Sequence, residues 1–284
     1  MTNRAEALAN DIAQLVTLPT IYFEVKRVID SPNSSLADLA KALSMDPALS
    51  AKLLRIVNSP FYAQSRPVET ITRAVSMLGT HQIHDLTLAA SVSSTFAKIP
   101  ADKMDVATFW KGCVFRAEAV KTLAAQCGLR EKERFFIQGL LSDLGHMVLY
   151  LKAPAEALQA LHVAEAGAEP LHIAERRLLN CDYAQVGSAM LKAWGLPGAI
   201  HIPIANQLEP EEGAPHTMDA ALLNIAGALA WAEHHGSDPV AGVVKQAWEI
   251  TSLRPEDMSE LMAEVRIGAH QMSEILNGFL SKAA

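Results

Sequence analysis

Apolar positions along the chain repeat at the spacing of a single helix face. Leu36, Leu39, Ala40 and Leu43 fall at i, i+3, i+4 and i+7, and Ser34-Ser35 ahead of them supplies an N-cap. Leu49, Leu53, Ile56 and Val57 repeat the pattern behind Asp46-Pro47, where proline suits the first helical turn. Ile71, Ala74, Val75 and Leu78 do so again, and Gly79 ends that helix. A longer helical stretch runs from His81 to about Ala97, closed by Ile99-Pro100, and another covers about Val106 to Cys127 and stops at Gly128. In residues 137–149, I-Q-G-L-L-S-D-L-G-H-M-V-L, a stripe of Ile137, Leu141, Leu144 and Val148 with Leu140 and Met147 beside it predicts one helix buried on most sides.

Beyond Pro154 the same period predicts helices at about residues 155–166, 170–179 and 183–194, then a turn at Gly195-Leu196-Pro197-Gly198 and a short helix ending near Leu208. The acidic stretch E-P-E-E-G-A-P-H, residues 209–216, reads as a loop or hinge. Further helices are expected at residues 219–235, 239–251 and 255 to about 280. Alternating strand patterns of useful length and repeats of solenoid period are absent, so the fold class is all-α, with about twelve to fifteen helices.

With 284 residues, 50% hydrophobic and 19% charged, the chain has enough length to bury a large core, as one large domain or two small ones. No apolar run reaches the ~18 residues of a membrane span, and no basic-then-apolar leader opens the sequence. The formal charge of −7 argues against nucleic acid or anionic lipid as the main partner. Cys113, Cys127 and Cys181 form no C-x-x-C pair, which points to small apolar fillers and a cytoplasmic location. Phosphate-binding glycine loops and nucleophile-elbow motifs are also missing.

Several fragments together are similar to one family. They are L-P-T at residues 18–20, M-D-P-A-L-S-A-K-L-L-R-I-V-N-S at 45–59, I-T-R-A-V-S-M-L-G at 71–79, G-L-L-S-D-L-G-H at 139–146 and A-M-L-K-A-W-G-L-P at 189–197. Their order and spacing resemble the HDOD domain, a bacterial signalling module related to the HD metallophosphohydrolases, over about residues 12–212. The resemblance implies an N-terminal helical lobe over about residues 12–100 and an HD-like bundle from about residue 106. Residues 213–284 would supply C-terminal helices that complete or pack on that bundle, and the cleft between lobes would lie near Gly112, Ser142 and Asp143.

HD enzymes hold one or two metals with histidines and aspartates, because neutral-pH hydrolysis needs a cation to acidify water and that cation needs several converging donors. Carried over residue by residue, the resemblance puts Gly112 at the first histidine and Ser142-Asp143 at the His-Asp pair. Asn206-Gln207 fall at a later histidine pair and Gly227 at the last aspartate. Amide oxygens suit zinc-like or iron-like ions poorly. The resemblance therefore implies no metal, no cofactor and no catalysis, and a regulatory module that acts through a protein partner, alone or within a response regulator.

Two other readings stand beside it. A nucleotide or cyclic dinucleotide would bind, or be hydrolysed, in a vestigial cleft with Lys111, Arg116, Asp143 and His146, with Arg134 as a further phosphate contact, although solvated surface charge accounts better for each basic residue. A helix-turn-helix at about residues 35–58 would read DNA, but Leu49, Leu53, Leu54, Ile56 and Val57 leave its second helix mostly apolar. Asp143 and His146, at i and i+3, read as an Asp–His pair holding a helix to its neighbour, with Ser142 bonding locally. His81 and His84 share that spacing and read as solvated. His234 and His235 face different sides of a helix end marked by Gly236, and the turn Asn58 to Tyr62 fixes the loop between two helices.

Overall fold

The computed structural model describes residues 4–15, 19–58, 67–96, 105–130 and 132–280. Among these, fifteen α-helices and no strand occur. They begin with α1 (Arg4–Leu15), α2 (Thr20–Asp30), α3 (Leu36–Ser44), α4 (Pro47–Val57) and α5 (Ile71–Phe96). Next come α6 (Val106–Gln126), α7 (Lys132–Leu141), α8 (Leu144–Lys152), α9 (Pro154–Glu165) and α10 (Leu171–Leu179). The chain closes with α11 (Tyr183–Ala193), α12 (Gly198–Ala205), α13 (Thr217–His235), α14 (Lys245–Thr251) and α15 (Met258–Leu280). No described helix is long and apolar enough to cross a membrane.

The helices group into two compact units. In the first, α5 packs against α2, α3 and α4, with Leu39, Leu43, Leu53, Val75 and Ile83 fully buried. The expected cap is present on α3: Ser35 Oγ accepts from Asp38 N–H and Asp38 Oδ2 accepts from Ser35 N–H at 2.9 Å. Gly79 interrupts α5 with φ 79° and ψ 166°, a conformation that excludes side-chain-bearing residues, so the expected stop is a sharp kink between two helical segments. The amide of Asn58 donates to Leu54 O and Val68 O and accepts from Val68 N–H at 2.7 Å, fastening the end of α4 to the start of the next segment. Residues 59–62 of the expected polar turn, and Ile99-Pro100, lie outside the described residues.

The second unit holds α1, α6 to α14 and α15 as far as Ala269. Helix α1 packs on α8 and α11, so it belongs with the bundle and not with the N-terminal helices. At the centre runs α6, capped by Asp105, whose side chain accepts from Ala107 and Thr108 N–H, and buried at every position from Cys113 to Val120. Helices α7 and α13 cover it. A helix expected over residues 239–251 begins only at Lys245, because Asp238 Oδ1 accepts from Val240 N–H in a local turn and Gly242 takes φ 88°. All three cysteines are free, and burial pushes the Cys113 thiol well above its usual pKa.

One expectation fails at the centre. Residues 137–149 are two helices, α7 and α8, separated by a turn at Ser142-Asp143. The apolar stripe continues through the break, so its cause is packing. A Cβ on Gly139 would lie 2.6 Å from Ala117 Cα of α6, and one on Gly145 would lie 1.8 Å from Tyr183 O of α11. Two close approaches to different partners redirect the chain between them. Ser142 Oγ donates to Gly139 O at 2.8 Å across the turn. Gly145→Ala is expected to destabilise the fold by more than ~3 kcal/mol, since the methyl meets backbone that cannot swing aside; urea unfolding measures this.

Candidate functional site

The turn between α7 and α8 presents Asp143 to a cluster of charges. Asp143 Oδ1 lies 3.1 Å from Arg116 Nη2 of α6 and 3.0 Å from His146 Nδ1. The opposite ring nitrogen, His146 Nε2, lies 3.1 Å from Glu175 Oε1 of α10, close enough for attraction but poorly aligned for a hydrogen bond. Glu175 Oε2 accepts from Tyr183 N–H at 3.0 Å, at the start of α11. The Tyr183 ring stacks on His146 with centroids 4.2 Å apart, and the Arg116 guanidinium lies over the same ring, 5.8 Å from its centroid. Arg116, His146 and Glu175 are all buried, at 9%, 9% and 2% exposure.

Burial alone would drive each group toward its neutral form; the partners oppose it. For Asp143, desolvation raises the pKa, but Arg116 and then His146 more than offset this and hold the carboxyl at about 2. For His146, desolvation lowers the pKa, and Asp143 and Glu175 reverse it, lifting the imidazole to about 10. Desolvation pushes the Tyr183 phenol up against the opposing pull of Arg116. At neutral pH Asp143 is therefore ionised and His146 protonated beside the Arg116 guanidinium.

The other positions carried over from the HD resemblance serve the scaffold. Gly112, one turn before Arg116, is half-buried, and a Cβ there would meet nothing within 4 Å. Asn206 Nδ2 donates to Ile202 O at 2.9 Å and closes the end of α12. Gln207 Nε2 donates to Ser142 O at 3.0 Å and Ile204 O at 3.1 Å, tying the segment after α12 to the central turn. Gln207 O in turn accepts from Asn224 Nδ2, and Asn224 Oδ1 accepts from Val244 N–H. A Cβ on Gly227 would lie 3.3 Å from Arg116 Nη1. Among the described residues no three His, Cys, Asp or Glu side chains converge as a metal cage. The residues present do not fit a divalent metal, because Asp143 is the one carboxylate at these positions and the near oxygen is already shared by Arg116 and His146.

Sequence reasoning placed Asp143 and His146 together, and the structure brings them together. It treated Arg116 and Arg134 as solvated charges, and both are corrected. Arg116 is buried against Asp143. Arg134 pairs with Asp219, which also accepts from Gln138 Nε2 at 2.7 Å. Lys111 is exposed. Glu175 and Tyr183 were missed; the available signal was an arginine inside the apolar run C-V-F-R-A, which requires buried acceptors elsewhere. His84 is not simply solvated, since it is half-buried with Nδ1 3.4 Å from Asp85 Oδ1 and its ring 5.8 Å from that of Tyr22, while the His81 side chain lies outside the described residues. His235 stacks on Trp231 at the end of α13, and Gly236 caps that end with φ 67°.

Fold and site together define an all-helical bundle in which the positions carried over from the HD resemblance serve packing and internal pairing. The HDOD domain model matches residues 15–210, so the chain belongs to the HDOD family. A solved structure from Shewanella amazonensis SB2B, provisionally named a phosphohydrolase, has TM-score 0.74 at 25% identity, covering 95% of this chain and 98% of its own. Another from Marinobacter aquaeolei VT8, provisionally named a signal transduction protein, has TM-score 0.73 at 22% identity, covering 92% of this chain and 59% of its own. An uncharacterized protein of Treponema pallidum (strain Nichols) is 23% identical over 216 residues. That match spans 76% of this chain and 41% of the relative's length.

Two measurements check the cluster. Asp143→Ala is expected to cost about 3–5 kcal/mol in urea unfolding, because it leaves the Arg116 charge buried and unpaired. The raised His146 pKa means that its contribution to stability is complete below the unfolded value of 6.5 and is lost as pH rises through about 10. The depressed Asp143 pKa means a contribution complete above 3.8 and lost as pH falls through about 2. Stability is therefore expected to decline between pH 7 and 10 at up to about 1.4 kcal/mol per pH unit, and His146→Gln is expected to flatten that slope.

Proposed function

We infer that the chain is a non-catalytic regulatory module of bacterial signalling, cytoplasmic, that acts by binding a protein partner, alone or as part of a longer signalling protein. The observation that carries this reading is the state of Asp143, the one acidic group left at the ligand positions: its near oxygen is saturated by the protein's own Arg116 and His146. A catalytic metal needs an open, well-held position beside several donors, and here glycine, serine and amide side chains stand where those donors would be. Membership of the HDOD family and the signal-transduction name of the Marinobacter relative support the signalling part. The phosphohydrolase name of the Shewanella relative belongs to that protein and is outweighed here by the donor set.

The competing phosphate-binding reading loses its main contacts, because Arg116 and Arg134 are committed to Asp143 and Asp219. The DNA-binding reading is weakened by the burial of Leu49, Leu53 and Val57 on α4. Elemental analysis of the purified protein, with a turnover screen on phosphate esters and cyclic dinucleotides, tests the proposal. Substoichiometric metal and no turnover are expected. Stoichiometric iron, zinc or manganese, with turnover abolished by Asp143→Asn, would overturn it.

A further inference from the structure

We propose that Arg116 is the resident cation of this site: a guanidinium, built into the chain, that takes the charge and the space a bound metal ion would need. The proposal deepens the non-catalytic reading above and rests on it. Charge comes first. Glu175 is buried and Asp143 half-buried with His146 between them, so without the guanidinium two acidic side chains would share one imidazolium. A buried net charge of that kind is strongly unfavourable. The Arg116 Nη2 contact at 3.1 Å supplies the missing positive charge from within.

Space gives the second, independent argument. The three heavy atoms nearest a Cβ at Gly227 all belong to Arg116: Nη1 at 3.3 Å, and Cζ and Nη2 at 3.7 Å. The room at position 227 is thus the room of the guanidinium. The aspartate that the HD resemblance places at position 227 would compete for the same volume. Arginine at 116 and glycine at 227 act as one device, in which the first brings the charge and the second vacates its seat.

The third argument is how the group is held. Arg116 Nη1 is buried and has no hydrogen-bond partner. Arginines that recognise a ligand through geometry engage both arms of the fork. Here only one arm meets a carboxylate, so the group serves mainly as a positive charge, as a cation would.

The test is thermal unfolding of wild type, Gly227→Ala, Arg116→Ala and the double variant, all in chelator. Arg116→Ala is expected to lower Tm by on the order of 10 °C. Millimolar methylguanidinium is expected to restore part of that loss and to leave wild type unchanged. Gly227→Ala is expected to lower Tm in wild type, where the methyl crowds Nη1. In the Arg116→Ala background the same change is expected to be neutral or stabilising, since alanine is the better helix former and the three nearest atoms are gone. Equal Tm shifts in both backgrounds would overturn the proposal. If Arg116→Ala does not fold, Arg116→Lys takes its place: the ammonium keeps the charge without the planar group, so the penalty of Gly227→Ala should shrink, and an unchanged penalty would overturn the proposal. Stoichiometric catalytic metal would instead sink the non-catalytic reading, a result the unfolding cycle does not mimic.

Discussion

Carboxylates inside a helical bundle stay ionised only when positive charge is buried with them, and the second unit of this protein is organised around that requirement. Asp143 comes from the α7–α8 turn and Glu175 from α10, while Arg116 lies on α6 and His146 on α8. The electrostatic cost of any one of them standing alone exceeds what a single packing contact returns. The cluster therefore fixes α6, the α7–α8 turn, α10 and the start of α11 relative to each other, since each contributes a group that the others need.

The close helix contacts follow from the same requirement. Glycines at 139 and 145 let the chain around Asp143 approach α6 and α11 at distances no side chain would permit. The break between α7 and α8 aims the Asp143 carboxylate inward, toward Arg116. Gln207 and Asn224 then carry the connection outward to α12, α13 and Val244 through backbone groups. A polar interior arranged in this way specifies one packing geometry, because alternatives leave donors or charges unpaired.

Much of this was legible in the sequence, for physical reasons. The 3.6-residue apolar period located α3, α4, α6 and α11, and the Ser35 cap and the Gly79 break are local chemistry that single residues announce. The D-P-A-L and S-D-L-G-H fragments pointed to the family and so to positions 112, 142, 143, 206, 207 and 227. What the sequence hid was tertiary. The stripe through residues 137–149 runs on unbroken, and only the approach of Ala117 and Tyr183 shows why the helix stops. Arg116 looked like a surface charge because its partner lies far along the chain in the α7–α8 turn, and Glu175 gave no local sign of contact with His146. The place of α1 depends on contacts with α8 and α11 that no local pattern encodes.

Gln207 limits what its position can hold. Its amide nitrogen serves two carbonyls at once, Ser142 O and Ile204 O. A neutral histidine in its place has one N–H and would abandon one of them. Introducing an imidazole there would thus weaken the scaffold, and a carboxylate at position 227 would crowd the Arg116 guanidinium. Each of these positions is thus held by its present side chain, and substitution toward a metal ligand carries a stability cost at the first step.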